Sequence, residues 1–191
     1  MGFNIVLSSP SGAGKTTITK KLSQKYPNIK ISISHTTRKP RTNEIDGVDY
    51  HFVSQEEFEK LVNKDNFYEH AKIFDNYYGT SKNSVNKLHQ ENYDVVFDID
   101  WQGTKQLSKF KELNLIKIFI LPPDKNELKK RLINRNQDNY KIVEKRLKQY
   151  ENDVQHWFDY DYVVINKDLE SCFSQIEKII TTHKKEKMSF I

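Results

Sequence analysis

The segment Ser9–Thr16 combines the residue types that bind polyphosphates, in the order Ser-Pro-Ser-Gly-Ala-Gly-Lys-Thr. In a loop of this kind, glycines allow backbone N–H groups to point at the phosphates, and the start of the following helix adds a positive dipole. Lys15 is placed to reach the β- and γ-phosphates, and the hydroxyl of Thr16 suits Mg²⁺. The usual pattern has glycine where this chain has Ser9, so we expect a small side chain beside the phosphates there.

Loops of this type occur in GTPases, ATPases and small-molecule kinases, so a second substrate must be inferred from other residues. The stretch Ser34–Arg41, with Tyr50 downstream, offers hydroxyl, guanidinium and phenol groups that together suit a phosphate monoester. Glu69, followed by Tyr77–Thr80, is a second candidate. Taken alone, a basic loop is more often solvated surface and a lone glutamate more often faces solvent. A functional interpretation of either therefore depends on the surrounding elements.

Apolar patterns predict the elements that position these residues. An apolar run, Phe3–Leu7, precedes the loop, and a helical pattern begins at Lys15 and ends before Pro27, because proline disfavours helix in the preceding residue. The unbroken runs Val95–Phe97 and Ile116–Leu121 are typical of a parallel sheet covered on both faces. Further predicted strands are Lys30–Ser34, Tyr50–Val53, Phe67–Phe74 and Tyr162–Ile165. Two further helices are predicted after capping residues at Ser54 and Asp124. Three others are predicted near Ser81–Glu91, at about Tyr140–Gln155 and from Leu169 onward.

The order of these elements predicts an α/β core with a small β-rich lobe inserted in it. The polar, basic segment His35–Asp49 contains Pro40 and Gly47 and is predicted to be a loop. Between the helices near the C-terminal end, the polar stretch Asn136–Asn139 interrupts the helical pattern.

Composition excludes several other classes of protein. The 191 residues include 31 Lys and Arg against 26 Asp and Glu, a net charge of +5 that suits an anionic partner. Neither a zinc-finger spacing nor a dense basic block points to nucleic acid, and the single Cys172 has no partner for a disulfide or a metal site. No apolar run approaches the roughly 18 residues of a membrane span. We therefore expect a soluble, intracellular protein without a nucleic-acid or membrane partner.

Taken together, the motifs resemble those of guanylate kinases over nearly the whole chain, from Ile5 to about Asn166. Several of them are far more specific than the phosphate loop alone. In chain order, they are the loop ending at Thr16, Ser34–Arg41, Asp46–Phe52, Phe67–Ala71, Asn76–Thr80, Asp98–Gly103 and Ile120–Pro123.

The resemblance implies a binding site for GMP. Its phosphate would be held by Ser34, Arg38, Arg41, Tyr50 and Tyr78, its base would be recognised by Glu69 and Thr80, and Asp98 and Asp100 would also bind GMP. Asp98 would also hold the hydration shell of Mg²⁺, with Thr16 as the direct ligand, although the roles of the two aspartates could be exchanged. The chemistry of guanine agrees with this role of Glu69, because one carboxylate can accept hydrogen bonds from both the N1–H and the adjacent amino group. Adenine has an acceptor at N1, and an unpaired buried polar group costs about 1–3 kcal/mol.

The resemblance also implies an ATP site and a mobile lid. ATP would be bound by Ser11, Gly12, Ala13, Gly14, Lys15, Thr16, Thr17 and, near the adenine ring, Asn166. Three arginines, Arg131, Arg135 and Arg146, flank the polar break, in a layout similar to the lid of nucleoside monophosphate kinases. With Lys15 and Arg38, they are the expected catalytic residues.

The implied fold is a three-layer P-loop kinase core with a parallel sheet, an inserted β-rich GMP-binding lobe and a helical lid. One domain, 1–191, would comprise a core (about 1–33, 81–125 and 157–191), the lobe (about 34–80) and the lid (about 126–156). The expected function is in-line, Mg²⁺-dependent phosphoryl transfer from ATP to GMP, and also to dGMP, by a cytoplasmic monomer or homodimer. Two alternatives are a kinase for another monophosphate and a related domain that binds a phosphorylated protein. The second is disfavoured because such modules characteristically lose the phosphate loop, which is intact here.

Overall fold

A five-stranded sheet and a four-stranded sheet organise the chain, which the computed structural model describes at residues 2–134 and 140–188. The described strands are β1 Asn4–Ser8, β2 Ile29–Ile31, β3 His35–Thr36, β4 His51–Phe52, β5 Phe67–Ile73, β6 Asn76–Ser81, β7 Asp94–Asp98, β8 Leu115–Leu121 and β9 Tyr162–Ile165. The described α-helices are α1 Lys15–Lys25, α2 Gln55–Asn63, α3 Lys82–Gln90, α4 Trp101–Leu107, α5 Lys125–Asn134, α6 Tyr140–Val154 and α7 Leu169–Met188.

The larger sheet has the strand order β2-β7-β1-β8-β9, and all of its pairs are parallel. Its central strands are buried on both faces, as unbroken apolar runs require. Ile18 of α1 and Phe173 of α7 pack on one face, and Val85 of α3 and Leu107 of α4 pack on the other. The expectation of an α/β fold with a covered parallel sheet is therefore confirmed.

The smaller sheet has the order β4-β3-β6-β5 and lies between β2 and α3 in the sequence. Its strand β3 corrects the prediction that His35–Asp49 is loop throughout, because His35 and Thr36 pair with β4 and β6. Thr36 is fully buried, and its hydroxyl donates to the carbonyl of Tyr77 at 3.0 Å. A polar residue is therefore stable in this strand because its hydroxyl finds a backbone acceptor.

Side-chain caps determine where the helices α2 and α4 begin. Ser54 and Glu57 form the predicted capping box at α2, with reciprocal side-chain to backbone bonds. The helix α4 was not predicted. It is capped by Asp100, whose carboxylate accepts from the backbone N–H of Gly103 at 2.9 Å. None of the helices in the described residues is both long and apolar enough to cross a membrane.

The helices α5 and α6 pack on each other through a small apolar cluster formed by Leu128, Leu132 and Val143. From α6, the Nζ atom of Lys145 lies 3.0 Å from the carboxylate of Asp75 in the turn between β5 and β6. This ion pair connects the helical segment to the smaller sheet.

Replacing Leu22 by alanine is expected to lower the free energy of unfolding by about 2–5 kcal/mol, because the lost methyl groups leave a cavity. Leu22 is fully buried where α1 packs on the parallel sheet. Urea unfolding measures the change, and Gln24→Ala at an exposed position of the same helix is the control, expected within about 0.5 kcal/mol of the native protein. Equal losses in the two variants would contradict this assignment of the core.

Candidate active site

A single cleft of about 520 Å³ lies between the parallel sheet, the smaller sheet and α6. Of the residues proposed from the sequence, its lining includes Ser11, Gly12, Gly14, Lys15, Thr16, Ser34, Arg38, Arg41, Tyr50, Glu69, Tyr78, Asp98, Asp100 and Arg146. A smaller cavity of about 260 Å³ shares Thr16, Ser34, Arg41, Tyr50 and Asp98 with it. The phosphate loop, which ends at Thr16, and the basic segment, which begins at Ser34, therefore face one space.

The phosphate loop lies between the end of β1 and the start of α1. Gly12 and Gly14 have φ angles of 94° and 100°, in the left-handed region that glycine adopts without strain. Gly14 precedes the helix without a side-chain cap, and the first turn of α1, all of it described, contains no acidic residue. The backbone N–H groups and the helix dipole at this point thus favour an anion.

Lys15 is oriented by the strand that neighbours β1. Its Nζ atom forms an ion pair with the carboxylate of Asp98 and donates to the carbonyl of Ile99 at 3.1 Å. The hydroxyl of Thr19, one turn along α1, donates to the carbonyl of Thr16 at 2.9 Å and lies 3.4 Å from the other oxygen of Asp98. Because β1 and β7 are parallel neighbours, the loop and this carboxylate meet at the same edge of the sheet.

A chain of hydrogen bonds supports the phosphate loop from behind the cleft. The side chain of Asn166 donates to the carbonyl of Ala13 at 2.7 Å, and Arg131 donates to the carbonyls of Asn166 and Lys167 at 3.1 and 3.3 Å. Arg131 also pairs with Glu127 at 3.3 Å. The structure therefore places Asn166 and Arg131 against the loop and the strand end, outside the cleft lining.

The predicted lid arginines have different positions. Arg146 lies in α6 and lines the cleft, whereas Arg131 lies in α5 with the partners given above. Arg135 lies outside the described residues. Thr17 is exposed on α1, one residue beyond the part of the loop that lines the cleft.

Glu44, which was not among the residues predicted from the sequence, arranges the two arginines of the basic segment. One of its oxygens accepts from the guanidinium of Arg38 at 2.8 Å, and the other accepts from the backbone N–H of Arg41 at 2.9 Å. The guanidinium of Arg41 lies 3.6 Å from the same carboxylate. In the sequence, Glu44 follows Arg41 by three residues and Arg38 by six, and this spacing could have indicated that it pairs with them. Glu44 therefore fixes the loop that presents both cations to the cleft.

Two tyrosines complete this basic wall. The ring of Tyr50 lies 5.3 Å below the guanidinium of Arg38, and the rings of Tyr50 and Tyr78 meet edge to face at 6.0 Å. Burial, followed by the nearby charge of Asp98, raises the pKa of Tyr50 above its usual range. Its phenol therefore stays protonated near neutral pH and is available as a hydrogen-bond donor.

Glu69 is the most buried carboxylate of the cleft, with 3% of its surface exposed. A β-bulge between Phe67 and Glu69 shifts the register so that Glu69 lies opposite Thr80, whose hydroxyl donates to it at 2.6 Å. Burial, opposed by this hydrogen bond and reinforced by the charge of Asp100, raises the pKa of Glu69 to about 7. The site therefore holds a carboxylate that is partly protonated at neutral pH.

Asp153 of α6 also lines the cleft and was not identified from the sequence. Its carboxylate accepts from the indole N–H of Trp101 at 3.2 Å and from the amide of Gln149 at 3.0 Å. Trp101 directly follows Asp100 and stacks on His156 with ring centroids 3.6 Å apart. Burial, with a contribution from the charge of Asp100, raises the pKa of Asp153. Asp153 is one of several charged residues in α6, so the sequence pattern did not indicate this contact.

Known proteins are similar to this chain over nearly its whole length. The sequence model of the guanylate kinase family matches residues 2–183. Curated guanylate kinases of Rickettsia bellii and Paramagnetospirillum magneticum are 46% and 45% identical to the chain, over 97% and 96% of its length and 97% and 86% of theirs. The crystal structure of guanylate kinase from Anaplasma phagocytophilum superimposes with a TM-score of 0.78 at 33% identity, covering 95% of this chain and 86% of that one. The chain belongs to the guanylate kinase family and has its P-loop kinase fold.

Proposed function

We propose that this protein transfers the γ-phosphoryl group of ATP to GMP, giving ADP and GDP. The observation that carries the proposal is the single cleft that contains both the phosphate loop and the basic wall with Glu69. A protein that only hydrolyses a nucleotide needs one anion site, whereas two facing anion sites suit a donor and an acceptor. The family of the relatives named above supports the same activity.

The acceptor phosphate would bind at the wall formed by Arg38, Arg41 and Tyr50, with Ser34 and Tyr78 completing it. The guanidinium groups suit phosphate oxygens because they donate two parallel hydrogen bonds, and the tyrosine hydroxyls add further donors. Glu44 keeps Arg38 and Arg41 together, so the wall is organised by the protein itself. Such preorganisation lowers the entropy lost on binding.

The guanine base would bind against Glu69, whose carboxylate can accept the N1–H and amino protons together. Thr80 donates its hydroxyl proton to Glu69 in this structure. A contact from Thr80 to the guanine O6 would therefore require the hydroxyl to turn, while the base replaces it as the donor to Glu69. Asp100 lies close enough to raise the pKa of Glu69 and is a second acceptor on this side.

The donor triphosphate would bind at the loop between β1 and α1, with Lys15 on its terminal phosphates. Thr16 and Asp98 fit Mg²⁺, because hydroxyl and carboxylate oxygens are its preferred ligands and both residues line the cleft. The metal would supply charge neutralisation at the β- and γ-phosphates. Lys15 would then exchange its ion pair with Asp98 for the phosphate oxygens.

The chemical step needs no general base, because the acceptor oxygen of GMP is already anionic near neutral pH. The main obstacle is repulsion between two anions, and the protein offsets it with Lys15, Arg38 and Arg41 on opposite sides of the cleft. Arg146 enters from α6 and would stabilise the transferring phosphoryl group. Catalytic roles for Arg131 and Arg135, use of dGMP, a monomeric or homodimeric state and a cytoplasmic location stay predictions from the sequence.

Purified protein with ATP and Mg²⁺ is expected to phosphorylate GMP and dGMP in preference to AMP, UMP and CMP. A coupled assay of ADP formation with each acceptor measures kcat/KM. Discrimination of at least about 10³-fold is expected, since the rejected bases leave Glu69 without its donors. A preference for AMP or a pyrimidine nucleotide would exclude the guanine assignment.

Glu69→Gln is expected to raise KM for GMP by at least about tenfold, because its amide N–H₂ group faces the donors of guanine. KM for ATP should change little, since Glu69 lies in β5 of the smaller sheet, whereas the phosphate loop follows β1 of the larger one. Initial rates with one substrate varied and the other saturating separate the two constants. Equal losses for GMP and ATP would argue against base recognition by this residue.

The pH dependence of GMP use should also follow Glu69. Burial raises the pKa of Glu69 to about 7, and guanine binds the ionised form. Below that pH, KM for GMP in the native protein is therefore expected to rise by up to about tenfold per pH unit. The GMP phosphate titrates near pH 6, about one unit lower, and Glu69→Gln is the control that retains only this titration. Parallel profiles in the two proteins would contradict the expectation.

Arg146→Ala is expected to lower kcat by about 10³-fold or more, as loss of an arginine at a transferring phosphoryl group does in related chemistry. Single-turnover rates with saturating ATP and GMP measure the effect. Lys148→Ala, at an exposed position of α6, should keep the native rate. A kcat within about fivefold of native, roughly 1 kcal/mol, would remove Arg146 from the catalytic residues.

A further inference from the structure

The helix α4 is attached directly to β5, the strand that carries Glu69. β5 is the edge strand of the smaller sheet, so its outer backbone groups lack a strand partner. The amide of Gln106 fills this place at His70, the residue after Glu69, by donating to the carbonyl at 2.7 Å and accepting from the N–H at 3.2 Å. One side chain thus makes the two bonds that a neighbouring strand would make, and it fixes β5 against α4.

The helix α4 is equally fixed on its other side, toward the parallel sheet. The hydroxyl of Thr104 lies 2.9 Å from that of Ser8 at the end of β1, and the phenol of Tyr160 donates to it at 3.0 Å. These three side chains are buried. The helix therefore cannot move away from β5 without breaking a buried hydrogen-bond network.

Gly103 lies at the point of closest approach between α4 and Glu69. A Cβ atom at this position would lie 2.5 Å from the Oε2 atom of Glu69 and 3.0 Å from its carboxyl carbon. The carboxylate cannot withdraw without disturbing the hydrogen bond that its other oxygen accepts from Thr80. Any side chain at residue 103 must therefore displace the Glu69 carboxylate.

The backbone at this position does not itself require glycine. Gly103 is absent from the glycines of positive φ, which are Gly12, Gly14 and Gly47 in the described chain, and it lies within a helix, where alanine is more stable. Its N–H group donates to Asp100 at 2.9 Å. Gly103 thus contacts one carboxylate of the site through its backbone and makes space for the other.

We propose that Gly103 is a positioning residue for the acceptor base: its missing side chain lets the Glu69 carboxylate occupy the place, beside Asp100, from which it accepts the donors of guanine. The proposal rests on the base-recognition role proposed for Glu69. It assigns specificity to a residue that makes no contact with the base through a side chain. The size of residue 103 then sets how far Glu69 reaches into the cleft.

The test compares Gly103→Ala, Glu69→Asp and the double variant. Gly103→Ala is expected to raise KM for GMP at least about tenfold, with KM for ATP within about twofold. Its preference for GMP over IMP, which lacks the 2-amino group, should fall by a similar factor. Glu69→Asp shortens the side chain by one methylene and relieves the clash. In that background, we expect Gly103→Ala to change KM for GMP by less than about threefold, a non-additivity that contacting residues show.

Thermal unfolding separates this role from a general structural one. Because alanine favours the helix, Gly103→Ala should lower the melting temperature only if the new methyl group clashes with the Glu69 carboxylate. In that case, Glu69→Asp should remove the clash and restore the melting temperature. Lys105→Ala, at an exposed position of α4, is the control and should keep native constants. A normal KM for GMP in Gly103→Ala, or equal effects of this change in both backgrounds, would overturn the proposal. If Glu69→Gln itself keeps the preference for GMP over IMP, the base-recognition role is wrong and the present proposal falls with it.

Discussion

The repulsion between two anionic substrates is the constraint to which the rest of the structure is adapted. Cations must be concentrated in one cleft, and each needs a carboxylate that holds it in place. Asp98 forms an ion pair with Lys15, and Glu44 forms one with Arg38. Asp98 comes from β7, the parallel neighbour of β1, and Glu44 comes from the same loop as the two arginines. Parallel neighbouring strands make the pairing of Asp98 with Lys15 possible, since their carboxyl ends meet at one edge.

The buried carboxylate Glu69 makes the stability of the folded protein depend on pH. Its pKa is raised from 4.5 to about 7, so the folded protein binds this proton more tightly than the unfolded chain. The stabilisation from protonation is complete below the unfolded value and is lost as the pH rises through the folded one. At neutral pH, the site therefore holds a group that weakens the fold. Recognition of guanine would relieve the penalty, because two donors then satisfy the charge.

Features that depend on neighbouring residue types could be predicted from the sequence, whereas features that depend on contacts with distant residues could not. The phosphate loop, the capping box at Ser54 and the buried strands each follow from neighbouring residue types. Strand β3, only two residues long, exists because β6 pairs with it, and its polar residues gave no signal. Glu44, Asp153 and Gly103 likewise take their roles from partners elsewhere in the chain. A glycine inside a short helix is informative only when the glutamate facing it is known.

The β-bulge before Glu69 has a consequence for how this fold can change over time. Successive side chains of a strand point to opposite faces, so one extra residue exchanges the two faces beyond it. With the bulge removed by a single-residue deletion, the residues beyond it would reverse their orientation, and the carboxylate would turn away from Thr80. Insertions and deletions are thus far more restricted in β5 than substitutions of its outward residues. A lineage could thus lose the contact between Thr80 and Glu69 without a substitution of either residue.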